Sequence, residues 1–223
     1  SRGLGDVYKR QVREQDFSSG VVDCLLGHLQ IKHLFLSCGY MSSCTSKVCR
    51  CNRASDLLPQ LVQDPVQLLE LELDLPCLRG FRLQAPCSLR SLTLKNCFTD
   101  PHILQAQYLK SLRHLTLQDT SSLELATVLR DPSCPPLESL VIGANWRAVR
   151  GVADLTDALV ALSEGVCRTS LTRLHLQRQE LNDLPAIWAI SSFVQLKTLA
   201  LPSCRISHYL VLSLCRVLLK MED

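Results

Sequence analysis

The amino-acid sequence predicts an α/β solenoid, a horseshoe with parallel strands on its concave face and helices on its convex face. An aliphatic-x-x-aliphatic-x-aliphatic spacing starts eight times, at Ile31, Leu68, Leu78, Leu89, Leu112, Leu137, Leu171 and Leu196. Each hit is a short strand that cannot bury its own apolar edge, whereas eight stacked together can. From Leu89 onward the starts are 23, 25, 34 and 25 residues apart, which leaves room for a helix in each unit. The chain is 47% hydrophobic but only 5% aromatic. Its core is therefore aliphatic, as stacked layers of similar volume require.

The elements follow in order. Ser1 to Gln11 leads into no periodic pattern and resembles translated adaptor sequence, so residues 1–11 are read as a non-native leader and 12–223 as the repeat domain. Val21 to Leu29 has one apolar face and reads as the end of a helix. The strand from Ile31 comes next, then a Ser- and Cys-rich insertion over residues 37–53. A helix over Ala54 to Gln63 is stopped by Asp64-Pro65. Strands starting at 68, 78 and 89 are too close together for helices, so tight turns at Pro76 and Pro86 should join them and flatten the curvature there. Helices are expected over Pro101 to Leu109, Ser122 to Arg130, Gly151 to Val166, Asp183 to Ser191 and Ser207 to Met221. Gly165 would stop the third of these. The last keeps Leu210, Leu214, Val217 and Leu218 on one stripe, with no polar closing layer after it.

Composition narrows the function classes. A net charge of +3 is too small to imply nucleic acid as the partner. No apolar run is long enough for a membrane span. Most of the twelve cysteines stand singly, among them Cys97, Cys134, Cys167, Cys204 and Cys215. Without a visible signal peptide or an Asn-x-Ser/Thr site, they read as reduced thiols in the cytoplasm or nucleus.

These spacings resemble the leucine-rich repeat, whose segment reads Leu-x-x-Leu-x-Leu-x-x-Asn/Cys. The Asn/Cys position is filled by Cys97, Asn145 and Cys204, by Thr120 and Gln179 in two further units, and by Pro76 and Pro86 in the short ones. The helical outer segments are similar to the ribonuclease-inhibitor-like class. That resemblance implies a binding scaffold without enzymatic activity or cofactor. Irregular repeat lengths also resemble the substrate-recruiting arms of cullin-RING ubiquitin ligases, and a secreted or cell-surface receptor ectodomain is the third reading.

Residues between the strand leucines should point away from the core. One outward row reads Phe35, Glu72, Arg82, Thr93, Thr116, Val141, His175 and Ala200, and the row before it His33, Glu70, Gly80, Ser91, His114, Ser139, Arg173 and Thr198. Glu70, Glu72 and Asp74 make one end acidic, while Arg82, Lys95, His114, Arg173 and His175 make the rest mildly basic. Together these eight are the expected partner-binding residues, on a monomeric chain facing a protein of complementary charge. Carboxylates about 7 Å apart along one strand do not converge on a metal or flank a glycosidic bond. Cys38, Cys44, Cys49 and Cys51, with His28 and His33 nearby, are spaced poorly for zinc and read as free thiols rather than as a metal site or disulfides. Trp146, in an irregular loop, is a candidate anchor, and Trp188, inside a helix, reads as core.

Overall fold

Alternation of buried and outward residues sets the strands, and backbone hydrogen bonds set their order. The computed structural model describes residues 9–13, 32–37, 68–75, 87–97, 104–119, 125–143 and 155–219. The fold is α/β. One sheet contains Lys9–Arg13 (β1), His33–Ser37 (β2), Glu70–Asp74 (β3), Ser91–Lys95 (β4), His114–Gln118 (β5), Ser139–Gly143 (β6) and Arg173–Gln177 (β7). After the short strand Glu180–Leu181 (β8), Thr198–Ala200 (β9) closes the sheet as its eighth member. Every neighbouring pair is parallel, in the order β1-β2-β3-β4-β5-β6-β7-β9. Arg205–Ile206 (β10) pairs with β8 in a separate parallel ribbon.

A second hydrogen-bond series repeats just ahead of the strands. The carbonyls of Lys32, Leu69, Arg90, Arg113, Glu138 and Thr172 each accept two amides from the following unit. The first pair is Leu69 and Glu70, and the last is Lys197 and Thr198. Just beyond the strands the chain turns at Asn96, Asp119, Arg178 and Ser203, all with φ between 51° and 57°. Asn and Asp enter that left-handed region most readily among residues with a side chain. The turned amides of Asn96, Asp119 and Arg178 donate to the carbonyls of Gln118, Gly143 and Pro202 in the next unit. Backbone groups at both strand ends are thereby satisfied from unit to unit.

The core is one continuous layer of leucine. Leu34, Leu36, Leu71, Leu73, Leu92, Leu94, Leu115, Leu117, Leu140, Ile142, Leu174 and Leu176 are the inward strand residues, and all are buried. The helices Leu125–Arg130 (α1), Leu155–Glu164 (α2), Leu184–Ser191 (α3) and His208–Leu219 (α4) add Leu125, Leu129, Leu155, Leu159, Leu162, Ile187, Ile190, Leu210 and Leu214 to the same cluster. Asp183 caps α3, its Oδ1 accepting from the Ala186 amide at 3.2 Å and its Oδ2 from the Thr156 hydroxyl at 2.6 Å. Pro185 sits in the first turn, where a missing amide costs nothing. Gly165 ends α2 in an extended conformation, with φ −94° and ψ −169°. It is a tight position as well, since a Cβ there would meet the Ala161 carbonyl oxygen at 3.2 Å.

Five expectations change. β3 pairs directly with β4, Glu70 opposite Ser91, and the Leu69 carbonyl accepts from Arg90 and Ser91. No strand therefore stands between them, and the hexad from Leu78 falls within residues 76–86, outside the described residues. Conversely, β1 pairs with β2 although its sequence, Lys-Arg-Gln-Val-Arg, holds a single aliphatic residue. Backbone pairing defines it, and it overlaps the presumed leader from Lys9 to Gln11. Where a helix over 101–109 is expected, the described part is only a single 3-10 turn, Ala106–Tyr108. Trp188 lies in α3 as expected but is 63% exposed, because Ala186, Ile187 and Ile190 take the inward face of that helix. Ser37, expected to open the insertion, ends β2 instead; the rest of the insertion, 38–53, the helices expected over 21–29 and 54–63, and Trp146 lie outside the described residues. Among the described residues, no helix is long and apolar enough to cross a membrane.

Candidate functional site

Parallel register turns the alternating residues into rows that cross the sheet. His33, Glu70, Ser91, His114, Ser139, Arg173 and Thr198 stand opposite one another, strand to strand, on β2 to β7 and β9. The next row is Phe35, Glu72, Thr93, Thr116, Val141, His175 and Ala200, and the third runs Ser37, Asp74, Lys95, Gln118, Gly143 and Gln177. Of all these positions, only Gly143 is buried. This face of the sheet, opposite the leucine layer and its helices, is the candidate site.

Its electrostatics differ at the two ends. Around β3 each carboxylate has a partner on an adjacent strand or turn. Glu70 Oε2 is 2.5 Å from His33 Nδ1, Glu72 Oε1 is 2.5 Å from Lys95 Nζ, and Asp74 Oδ1 accepts from Asn96 Nδ2 at 2.8 Å. The three acidic residues are thus brought together, with one cation, Lys95, paired to Glu72. Among the described residues, no group of His, Cys, Asp and Glu is placed to hold a metal ion.

From β5 onward the balance reverses. His114 and Arg173 are exposed, and no hydrogen bond or ion pair engages either side chain among the described residues. His175 Nε2 is buried with no hydrogen-bond partner among them. The nearby acids are engaged: Glu138 lies 3.8 Å from Arg113 Nε, Glu180 accepts from Arg205 at 3.1 Å, and Asp119 has a partner of its own. The structure therefore brings His114, Arg173 and His175 onto one stretch of the face, separate from the Glu70-Glu72-Asp74-Lys95 group. Arg82 lies outside the described residues.

Sequence reasoning missed three contributors. Asn96 follows a strand, so its Asp74 contact depends on turn geometry. The pair Gln118 and Gln177, on either side of Gly143, gains meaning only from cross-strand register. A Cβ added to Gly143 would meet Gln118 Cγ at 3.3 Å and Gln177 Oε1 at 3.4 Å, so both side chains close over that glycine.

Behind the sheet, cysteines serve as small buried donors. Cys97 donates to the Lys95 carbonyl at 3.1 Å and, more weakly, to Leu73 in the preceding unit at 3.5 Å. Cys204 reaches back to Leu176 at 3.0 Å, and Gln179, the one buried polar residue among those described, bonds the Gln177 carbonyl at 3.0 Å. Three of the Asn/Cys-position residues thus bond strand-end carbonyls. Burial pushes the Cys97 thiol up to about 11, and the Cys87 and Cys204 thiols rise for the same reason. Cys134 and Cys167 do not stand singly as expected: their thiols are hydrogen-bonded neighbours, both close to the Pro135 carbonyl. That bond and burial hold Cys134 far above the ordinary thiol range. The 38–51 cysteine cluster lies outside the described residues.

No protein-family model matches the sequence, and no curated protein matches it either.

Proposed function

We propose that the chain is a leucine-rich-repeat-type solenoid, curved with the sheet inside and the helices outside, and that it works as a non-enzymatic scaffold gripping another protein on the sheet. The observation that carries this reading is the outward face itself. Two in-register rows stay at least partly accessible from β2 to β9, and a third from β2 to β7 apart from Gly143, although a parallel sheet is commonly covered on both sides. Regular stacking supports the solenoid, since the same carbonyl ladder and left-handed turn recur from unit to unit. A reducing compartment, cytoplasm or nucleus, suits thiols that act as internal hydrogen-bond donors at Cys97 and Cys204.

The test is site-specific photocrosslinking on the full chain in cell extract, with the reactive residue at Thr93 or Thr116 on the sheet face, or at Thr127 or Glu164 on the helices. One discrete protein adduct from the sheet positions alone is the expected result. Adducts only from the helix positions, or none from the sheet, would overturn the proposal.

A further inference from the structure

β6 differs from its neighbours in the size of its outward residues, which are Ser139, Val141 and Gly143. On one side stand His114, Thr116 and Gln118 of β5, on the other Arg173, His175 and Gln177 of β7. Ser139 and Gly143 are smaller than the residues on either side and Val141 matches Thr116, so β6 floors a shallow trough that is deepest at Ser139. At the other end Gln118 and Gln177 flank Gly143, 3.3 and 3.4 Å from where a Cβ would stand. At the Ser139 end, His114 and Arg173 stand on either side of Ser139, and His175 lies beside Val141, its buried Nε2 without a hydrogen-bond partner among the described residues.

We propose that this trough is the recognition centre of the face and that it takes an acidic, extended segment of a protein partner. The inference rests on the scaffold reading above and names the partner's chemistry. Strands about 4.8 Å apart put the His114 and Arg173 backbones roughly 10 Å from each other, and Arg173 and His175 are about 7 Å apart along β7. Alternate residues of an extended peptide project side chains at that same interval of about 7 Å. A segment lying along β6 with Glu or Asp at alternate positions therefore places carboxylates beside Arg173 and His175 in turn. Arg173 offers a planar, multi-donor group suited to a carboxylate. The carboxylates of β3 stand three strands from β6, roughly 14 Å away, and Lys95 pairs with one of them. An acidic charge preference is thus built by the fold on a chain whose net charge is only +3.

The experiment is fluorescence anisotropy on the full chain, with a labelled decapeptide alternating Glu and Ser, its Gln-for-Glu counterpart, and a labelled thymidine decanucleotide. At low ionic strength the Glu peptide should bind at least about tenfold more tightly than the Gln peptide and weaken as salt is added. Arg173→Glu should abolish that preference, and Ser139→Trp, which fills the trough, should weaken binding about tenfold or more. Thr127→Trp, on α1 behind the sheet, should leave it unchanged; circular dichroism confirms that each variant is folded. Equal binding of the two peptides, no binding of either, indifference to Arg173→Glu, or tighter binding of the oligonucleotide would each overturn the inference. Sheet-face photocrosslinks that persist in Arg173→Glu would sink this inference alone and leave the scaffold reading standing.

Discussion

Lys95 Nζ lies 2.5 Å from Glu72 Oε1, an ion pair bridging β4 and β3 between residues two positions off register. Both side chains are about one-third exposed, so water and salt screen the pair, and its contribution to stability is below about 1 kcal/mol. Lys95→Ala is expected to shift the urea midpoint only slightly. It should also free a carboxylate on the sheet face and weaken binding of the alternating Glu peptide. A loss of several kcal/mol in a urea melt would show the pair to be a structural keystone instead.

Adjacent residues on β4 should behave oppositely. Leu94 is fully buried in the leucine layer, whereas Thr93 faces outward. Leu94→Ala is expected to cost about 2–5 kcal/mol, because transfer energy is lost and the rigid neighbouring layers cannot collapse into the void. Thr93→Ala should stay within about 1 kcal/mol. Denaturant melts of the two variants compare them directly, and similar losses would contradict the assignment of faces.

Asp183 is expected to be the most sensitive polar residue of the helical layer. It caps α3 through the Ala186 amide and also accepts from the Thr156 hydroxyl on α2. Asp183→Ala should destabilise by about 1–2 kcal/mol, with Asp183→Asn recovering most of it, since Asn caps nearly as well. Thermal melts test the ranking; an Asn variant as damaged as the Ala variant would point to charge rather than capping.

Alkaline pH should weaken the fold through its buried thiols. Cys97 is raised from 9.0 to about 11 by burial. Below about pH 9 the thiol is neutral in both the folded and unfolded states and its ionisation contributes no pH dependence. Between about pH 9 and 11 only the unfolded chain ionises, so stability falls as pH rises, by up to about 2–3 kcal/mol for this one group. Cys87 and Cys204 act with the same sign. Urea midpoints near pH 8 and near pH 10.5 measure the slope, and Cys97→Ala should flatten it. Reactivity should follow exposure: alkylation mapped by mass spectrometry is expected to label exposed Cys215 well before buried Cys97 and Cys167.

What could be read from the linear chain was local. An aliphatic residue at every second position faces one way whatever the strand's neighbours, so the inward leucines and the outward rows through Glu72 and Arg173 follow from spacing alone. Asp183 ahead of Leu184 and Pro185 likewise announces a helix start. Which strands touch is a non-local matter, decided by backbone hydrogen bonds and by the length of each crossover. Only the folded chain sets β3 directly beside β4, adds Lys9–Arg13 at the edge, and turns Trp188 outward because its helix buries Ala186, Ile187 and Ile190 instead. Charge shows the same division: Glu70, Glu72 and Asp74 form an acidic run in sequence, yet strand register and a left-handed turn hand each of them a partner and leave Arg173 without one among the described residues.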